Sequence, residues 1–204
     1  KMLDQKFNLF FRPVLTKFAT ILLKHQISPN QITLFSFILG IFCFIFLSLG
    51  FIYTALLFFL LNRIFDGVDG ALARLKEPTD LGGFYDIISD FLIYALLPFG
   101  FILFDNNNFL SMSLLLTSFI GTCSTFLTTA WIFEKKKIKI EQLSQKSFFY
   151  SEGLIEGTET IILFIFMFLF YEVANFIAWI FAILCFITSI TRIIKVSKIL
   201  NSSN

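Results

Sequence analysis

The sequence predicts an all-α integral membrane protein, with six transmembrane helices preceded by an N-terminal amphipathic interfacial helix. Three observations carry this. The chain has 204 residues, 57% of them hydrophobic and 31 of them phenylalanine. Soluble domains are roughly 45–50% apolar. Six windows of about 20 mainly apolar residues are each long enough to cross a bilayer core as helix. All 16 lysines and arginines fall on one side when those windows alternate through a membrane. The length suits a single domain over residues 1–204.

In chain order, residues 4–24 come first, DQKFNLFFRPVLTKFATILLK. Phe7, Phe10, Phe11, Val14, Leu15, Phe18, Ile21 and Leu22 recur at helical spacing, with Lys6, Arg12, Lys17 and Lys24 supplying charge. This pattern predicts a helix lying in the membrane interface; the alternative is a helix packed on the bundle. Pro13 is a place for it to kink or divide. The charged start does not read as a cleavable signal peptide. His25, the only histidine, precedes the first span and belongs at the surface or headgroup level.

The six-span bundle covers residues 31–194. Its spans are expected at 31–49, 53–75, 81–104, 109–133, 153–171 and 173–194. The first has a clear start in SPNQ: Ser28 as N-cap, Pro29 at the first helical position, Gln31 completing a capping box. DNNN, at 105–108, reads as a polar outer loop. Cys43, Cys123 and Cys185 lie in apolar runs without metal or redox spacing, so they read as packing residues. Lysine and arginine occur in the N-terminal segment, around the turn between spans two and three, in EKKKIKIEQLSQK at 134–146, and around the end of the last span. The opposite loops hold only Asp105 and Glu172 as charges. The positive-inside rule therefore puts both termini in the cytoplasm.

Against this apolar background stands DGVDGALARLKEPTDLGGFYDIISD, residues 66–90. An unpaired carboxylate in hydrocarbon costs several kcal/mol or more. Asp66 and Asp69 are three apart, and Asp86 and Asp90 four apart, so each pair shares one helix face. Pro78, Gly82 and Gly83 permit a tight turn, so the pairs can meet at one depth near the cytoplasmic rim. Four carboxylates together repel. One or two divalent cations with all-oxygen ligation, Mg²⁺ or Mn²⁺ rather than zinc, would offset this. Small residues at 67, 70, 71 and 73 keep the helix narrow and leave room for a ligand. Arg74 can hold phosphate oxygens in a fork. Neutralisation by Arg63 and Arg74 alone is the bland alternative, but two arginines do not balance four acids. A cation carrier would place its acids near the bilayer midplane on broken helices.

These residues resemble the CDP-alcohol phosphatidyltransferase family. Its pattern is D-x-x-D-G-x-x-A-R, seven or eight residues, then G-x-x-x-D-x-x-x-D. Every fixed position is matched, by Asp66, Asp69, Gly70, Ala73, Arg74, Gly82, Asp86 and Asp90, with seven residues between Arg74 and Gly82. The six spans, the interfacial helix and Pro29, Asn30 and Thr33 extend the resemblance over nearly the whole chain. It is strongest to the small bacterial inner-membrane members.

The resemblance implies transfer of a phosphatidyl group from a CDP-linked lipid, usually CDP-diacylglycerol, to a polar alcohol with release of CMP, in phospholipid biosynthesis. It implies two metal ions, Mg²⁺ or Mn²⁺. Asp66, Asp69 and Asp86 are then ligands, and Asp90 is general base and further ligand. Gly70, Arg74 and Thr79 would contact the CDP-lipid, with Asn30 and Thr33 more loosely matched. It also implies a homodimer in the bacterial inner (cytoplasmic) membrane with its site facing the cytoplasm. Expected partners are the CDP-lipid, the alcohol and membrane lipid, with no nucleic acid. Asp80 lies outside the pattern and should help start the third helix.

The pattern does not identify the alcohol. Lys146 and the other lysines of the 134–146 loop can hold an acceptor phosphate, or simply set topology and meet anionic lipid. Glu156 and Glu159, at the start of the fifth span, are candidates for acceptor hydroxyls or an amine, or for a structural role at a helix N-terminus. Arg192 is their candidate partner or a further acceptor contact. Two other functions stay open: a CDP-amino-alcohol phosphotransferase with diacylglycerol as acceptor, and a divalent-cation carrier.

Overall fold

The computed structural model describes the backbone of residues 2–137 and 157–202, and the side chains of 12–137 and 157–201. Among the described residues the regular structure is helical: α1 (Met2–Lys24), α2 (Pro29–Ser48), α3 (Ile52–Lys76), α4 (Asp80–Phe104), α5 (Phe109–Lys135), α6 (Gly157–Leu169) and α7 (Ala174–Ser202). Short 3-10 turns at Asn106–Asn108 and Tyr171–Val173 lead into α5 and α7.

Among the described residues, four stretches are long and apolar enough to cross a membrane: Pro29–Ser48, Asp80–Phe104, Asn106–Lys135 and Tyr171–Asn201. The expected second and fifth spans differ for separate reasons. α3 has 25 residues, but its second half carries Arg63, Asp66, Asp69, Arg74 and Lys76. Its described length is about 37 Å at 1.5 Å per residue, which lets that charged half approach the headgroups. α6 is a shorter apolar helix of 13 residues. The last helix runs to Ser202, eight residues beyond the expected 194.

α1 stays one helix through Pro13. One face packs on α3: Leu15 and Leu22 lie against Ala19, Ile32, Val68, Ala71 and Leu72. Val14, Phe18 and Ile21 face outward, each more than half exposed. The helix thus combines an inner packing face with an outer apolar one. Gly67 makes the packing close, since a Cβ there would sit 3.1 Å from Leu15 Cδ1. His25 is exposed.

The start of α2 forms as its sequence predicts. The Gln31 amide donates to Ser28 Oγ at 3.3 Å, and the Ser28 amide donates to Gln31 Oε1 at 2.8 Å. α2 then lies along both α3 and α4, which pack on it more than on each other. Two glycines permit this. A Cβ on Gly40 would overlap the Ile93 side chain of α4 and lie 3.3 Å from Asn62 Nδ2 of α3. A Cβ on Gly100 would come 2.8 Å from Leu47 Cδ2. Close backbone approach of this kind is what small residues supply between helices in lipid. Ile93 is 1% exposed and has nowhere to retreat. Gly40→Val is therefore expected to destabilise the bundle by about 1–3 kcal/mol through overpacking, read as a lower Tm in detergent.

The rest of the core is aromatic. Phe59 of α3 meets Phe164 and Phe168 of α6 at 5.9 and 5.6 Å between ring centroids. Phe164 and Phe119 both pack on Phe181 of α7, at 5.6 and 5.3 Å. These offset and edge-on contacts tie α3, α5, α6 and α7 together beside the acids. The three cysteines are free.

Candidate active site

The acids occupy the gap that α2 holds open between α3 and α4. Between those helices, Glu77 takes a positive φ of 84°, a backbone region that non-glycine residues seldom occupy. Thr79 then caps α4, its Oγ1 accepting from the Gly82 amide at 3.1 Å, with Asp80 in the first turn. The chain reverses in three residues, bringing Asp66 and Asp69 opposite Asp86. One carboxylate oxygen from each of these three lies within 4.8 Å of the others. Asp69 is the most enclosed, 4% exposed, and its Oδ2 is buried with no hydrogen-bond partner.

That arrangement fits a hard divalent ion. The donors are all oxygen, as Mg²⁺ and Mn²⁺ prefer. An orphaned buried carboxylate oxygen also needs a positive partner to offset its desolvation. Asp66, Asp69 and Asp86 are the residues that would hold such an ion.

Asp90 is held differently. Arg63 Nη1 donates to Asp90 Oδ1 at 2.8 Å and to the Tyr94 hydroxyl at 3.0 Å, and lies 3.6 Å from Asp66 Oδ2. The Arg63 side chain is 7% exposed, and its guanidinium sits 5.2 Å from the Tyr94 ring centroid. Arg63 Nε donates to Asn62 Oδ1 at 2.7 Å. Asn62 Nδ2 donates to the Ser36 carbonyl at 2.8 Å, and Ser36 Oγ donates to the Asn62 carbonyl at 2.8 Å. In the sequence Arg63 reads only as a counter-charge to the acids, and neither Asn62 nor Tyr94 stands out. The available signal was spacing: Arg63 lies one helical turn before Asp66, and Tyr94 one turn after Asp90.

Two cavities flank the acids. The first, ≈ 510 Å³, lies at the start of α2, the end of α3 and the start of α4. Asn30, Thr33, Gly70, Arg74 and Thr79 all line it, together with Asp69 and Asp86. Its wall is tight at Gly82, where a Cβ would sit 3.1 Å from Thr79 Oγ1 and 3.2 Å from Asn30 Oδ1. Gly83 meets no such limit, so packing explains one of the two adjacent glycines. Gly82→Val fills this wall and is expected to lower turnover about tenfold or more, since a misplacement near 1 Å can cost about 10²-fold. Steady-state kinetics checks it.

The second cavity, ≈ 630 Å³, lies among α4, α5, α6 and α7. Asp90 and Tyr94 line it on one side, and Arg192 lines it too. Arg192 is 7% exposed; its Nη1 donates to the Thr122 carbonyl at 3.0 Å and Thr125 Oγ1 at 3.2 Å. Its guanidinium lies over Phe126, 5.7 Å from the ring centroid. Thr122, Ser124 and Thr160 add hydroxyls, and the remaining lining is mostly apolar. The structure thus brings Arg192 and Asp90 to one cavity. Glu159 sits in the first turn of α6, outside this lining. Glu156 and Lys146 lie outside the described residues.

A helical bundle that gathers carboxylates beside two cavities suits a membrane phosphotransferase. This chain belongs to the CDP-alcohol phosphatidyltransferase family, whose model matches residues 26–191. It is 47% identical over 193 residues to the inner membrane protein YnjF of Escherichia coli strain K12, covering 94% of both chains. An uncharacterized protein of Aquifex aeolicus strain VF5 is 36% identical over 91 residues, covering 44% of this chain and 46% of that one. Among solved structures, the fold is similar to Mycobacterium tuberculosis phosphatidylinositol phosphate synthase, PgsA1, crystallised with CDP-DAG bound. The TM-score is 0.73 at 18% identity, over 90% of this chain and 94% of that one. The same enzyme in complex with manganese and citrate superposes with a TM-score of 0.64 at 20% identity, over 90% and 88% of the two chains.

Proposed function

We propose that this protein transfers the phosphatidyl group of CDP-diacylglycerol to a polar alcohol and releases CMP, as a step in phospholipid biosynthesis. One observation carries the reading: Asp69 and Asp86 line the first cavity, while Asp90 lines the second. A donor diphosphate in the first cavity would lie beside the carboxylate cluster, with Arg74 as a fork for its oxygens. Asn30, Thr33, Gly70 and Thr79 contact the rest of its head. An acceptor hydroxyl in the second cavity would meet Asp90.

Asp90 takes the hydroxyl proton as the acceptor oxygen attacks the phosphorus that carries diacylglycerol. A new P–O bond forms, the P–O bond to CMP breaks, and CMP leaves with the electron pair. Proton removal concerted with attack lets a carboxylate serve as base. Two divalent ions, Mg²⁺ or Mn²⁺, on Asp66, Asp69 and Asp86, with Asp90 as a further ligand, would neutralise the diphosphate and the developing charge. Positioning and charge stabilisation are most of what phosphoryl transfer needs.

The surrounding architecture belongs to the same proposal. α2 to α7 are six spans, α1 lies in the interface, both termini are cytoplasmic, and the protein works in a bacterial inner membrane as a homodimer. The donor's acyl chains then remain in lipid while its nucleotide stays wet. Arg192, Glu156, Glu159 and Lys146 are the acceptor-side candidates. The apolar part of the second cavity favours one further reading, in which diacylglycerol is the acceptor and a CDP-amino-alcohol the donor.

Incubating the purified protein with CDP-diacylglycerol, Mg²⁺ or Mn²⁺ and a panel of alcohols tests the reaction, with mass spectrometry of the lipid product. Metal-dependent CMP release that requires one alcohol is expected. CMP release only from a CDP-amino-alcohol with diacylglycerol would select the second reading. Metal flux into liposomes with no nucleotide chemistry would overturn both in favour of a carrier.

A further inference from the structure

Tyr94 stands one helical turn after Asp90 on α4, so the two share a face, and both line the second cavity. It is the one polar side chain in the run FLIYALLPFG, residues 91–100, where a phenylalanine would pack its ring equally well. The ring is fixed from two sides. It stacks on Phe164 of α6, with centroids 6.1 Å and planes 20° apart, and the Arg63 guanidinium lies 5.2 Å from its centroid. Arg63 is anchored in turn, its Nε donating to Asn62 Oδ1 at 2.7 Å. Asn62 is 1% exposed and is tied to Ser36 of α2. The phenol oxygen therefore has a set position.

Its hydrogen bonds do not balance within the protein. A phenol carries one O–H donor as well as acceptor lone pairs. The Tyr94 hydroxyl accepts from Arg63 Nη1 at 3.0 Å. A guanidinium has no lone pair to take the phenolic proton in return, so that proton turns away from Arg63. Among the described residues it meets no acceptor, since the bond from Arg63 is the one hydrogen bond this hydroxyl makes. A donor held away from water without an acceptor is unfavourable, and polar groups inside folded proteins nearly always find one. The space beside Tyr94 is the second cavity, ≈ 630 Å³, a size that takes a small-molecule ligand.

Resting on the transfer reaction proposed above, we propose that Tyr94 is an acceptor-binding residue. Its O–H donates to an oxygen of the alcohol in the second cavity, a hydroxyl or a phosphate oxygen. Arg63 serves this in two ways: it orients the phenol, and by donating to the oxygen it polarises the O–H, as linked hydrogen bonds do. An alcohol without an oxygen at that place leaves the donor unpaired, which is how a site built on hydrogen bonds discriminates. Tyr94 is thus a specificity determinant as well as a contact.

The test is Tyr94→Phe in the full-length protein, which removes one oxygen and keeps the ring on Phe164. CMP release is measured with CDP-diacylglycerol against the alcohol panel, glycerol 3-phosphate, inositol 1-phosphate and glycerol among its members. KM for the alcohol that wild type uses should rise about fivefold to tenfold, the usual net worth of one hydrogen bond. The kcat and the donor KM should stay within about twofold, the pattern of a lost binding contact. An unchanged alcohol KM would overturn the proposal. So would a fall in kcat at unchanged alcohol KM, which would make Tyr94 a prop for Arg63.

A second measurement needs no turnover. Cys123 lines the same cavity and is half-buried, while Cys43 and Cys185 are buried. An alcohol bound in the cavity should slow alkylation of Cys123 by N-ethylmaleimide. Tyr94→Phe should need about fivefold to tenfold more alcohol for the same protection. Equal protection of both proteins, or no protection of wild type by any panel member, would overturn the proposal. Should Tyr94→Phe fail to fold, Tyr94→Met removes the same O–H with a side chain that adapts to irregular space, and it is held to the same outcomes. A wild type that releases no CMP, but whose Cys123 protection weakens in the variant, would sink the transfer reaction and leave the Tyr94 contact standing.

Discussion

Asp90→Asn is expected to reduce CMP release by about 10² to 10⁴-fold, the usual contribution of a positioned general base, while the protein folds and binds CDP-diacylglycerol. The change is nearly isosteric. The asparagine carbonyl oxygen can still accept from Arg63 Nη1, which now bonds Asp90 Oδ1 at 2.8 Å. Arg63 also keeps Asp66, 3.6 Å away, as a charged neighbour. What disappears is the basic carboxylate of a residue that lines the second cavity. Radiolabelled CMP release gives the rate, and donor binding by equilibrium titration gives the control. Near-normal turnover with the true acceptor would remove Asp90 from the base role. Loss of donor binding with loss of turnover would make it a structural residue instead.

Asp69→Asn carries the second large effect, and it is read on metal rather than on rate. Asp69 is 4% exposed, and its Oδ2 is buried without a hydrogen-bond partner. A ligand present in excess stabilises the folded state that binds it, by about 2.7 kcal/mol at a hundred times its Kd. Wild type should therefore show a Tm that rises with Mn²⁺ or Mg²⁺, and chelation should abolish turnover until metal is restored. In Asp69→Asn that metal-dependent rise should vanish, and turnover with it. Without metal, the variant should be at least as stable as wild type, because a buried charge lacking a full partner is costly to keep. A metal-dependent Tm shift of wild-type size in Asp69→Asn would remove it from the ligand set.

The parts of this molecule that were legible in the chain are those set by local chemistry. The Ser28 capping box needs only four consecutive residues, and it forms. The pairs Asp66/Asp69 and Asp86/Asp90 share faces because helical spacing requires it, and three of those acids meet because the connection between their helices is only Glu77–Thr79. Asn30, Thr33, Gly70, Arg74 and Thr79 come together at one cavity because the start of α2 lies beside that turn. Other features carried no local signal. Gly40 is one small residue in an apolar run, and only the arrival of Ile93 and Asn62 from two other helices makes it indispensable. Pro13 looked able to divide α1, yet the helix is continuous, with its inner face seated on α3.

Taken alone, the sequence determined that the chain is helical and apolar, that its acids lie on two adjacent helices joined by a tight turn, and that the pattern is that of its family. Periodicity, caps and composition act over a few residues, so they are readable there. Only the tertiary structure decided that α2 stands behind a gap between α3 and α4 and that the acids part between two cavities. It also decided that Arg63 grips Asp90 while Asp66, Asp69 and Asp86 face each other. Those outcomes depend on which side chains meet from helices tens of residues apart. In a lipid environment that choice is made by close packing and buried hydrogen bonds rather than by hydrophobicity, because the lipid is as apolar as the helix faces.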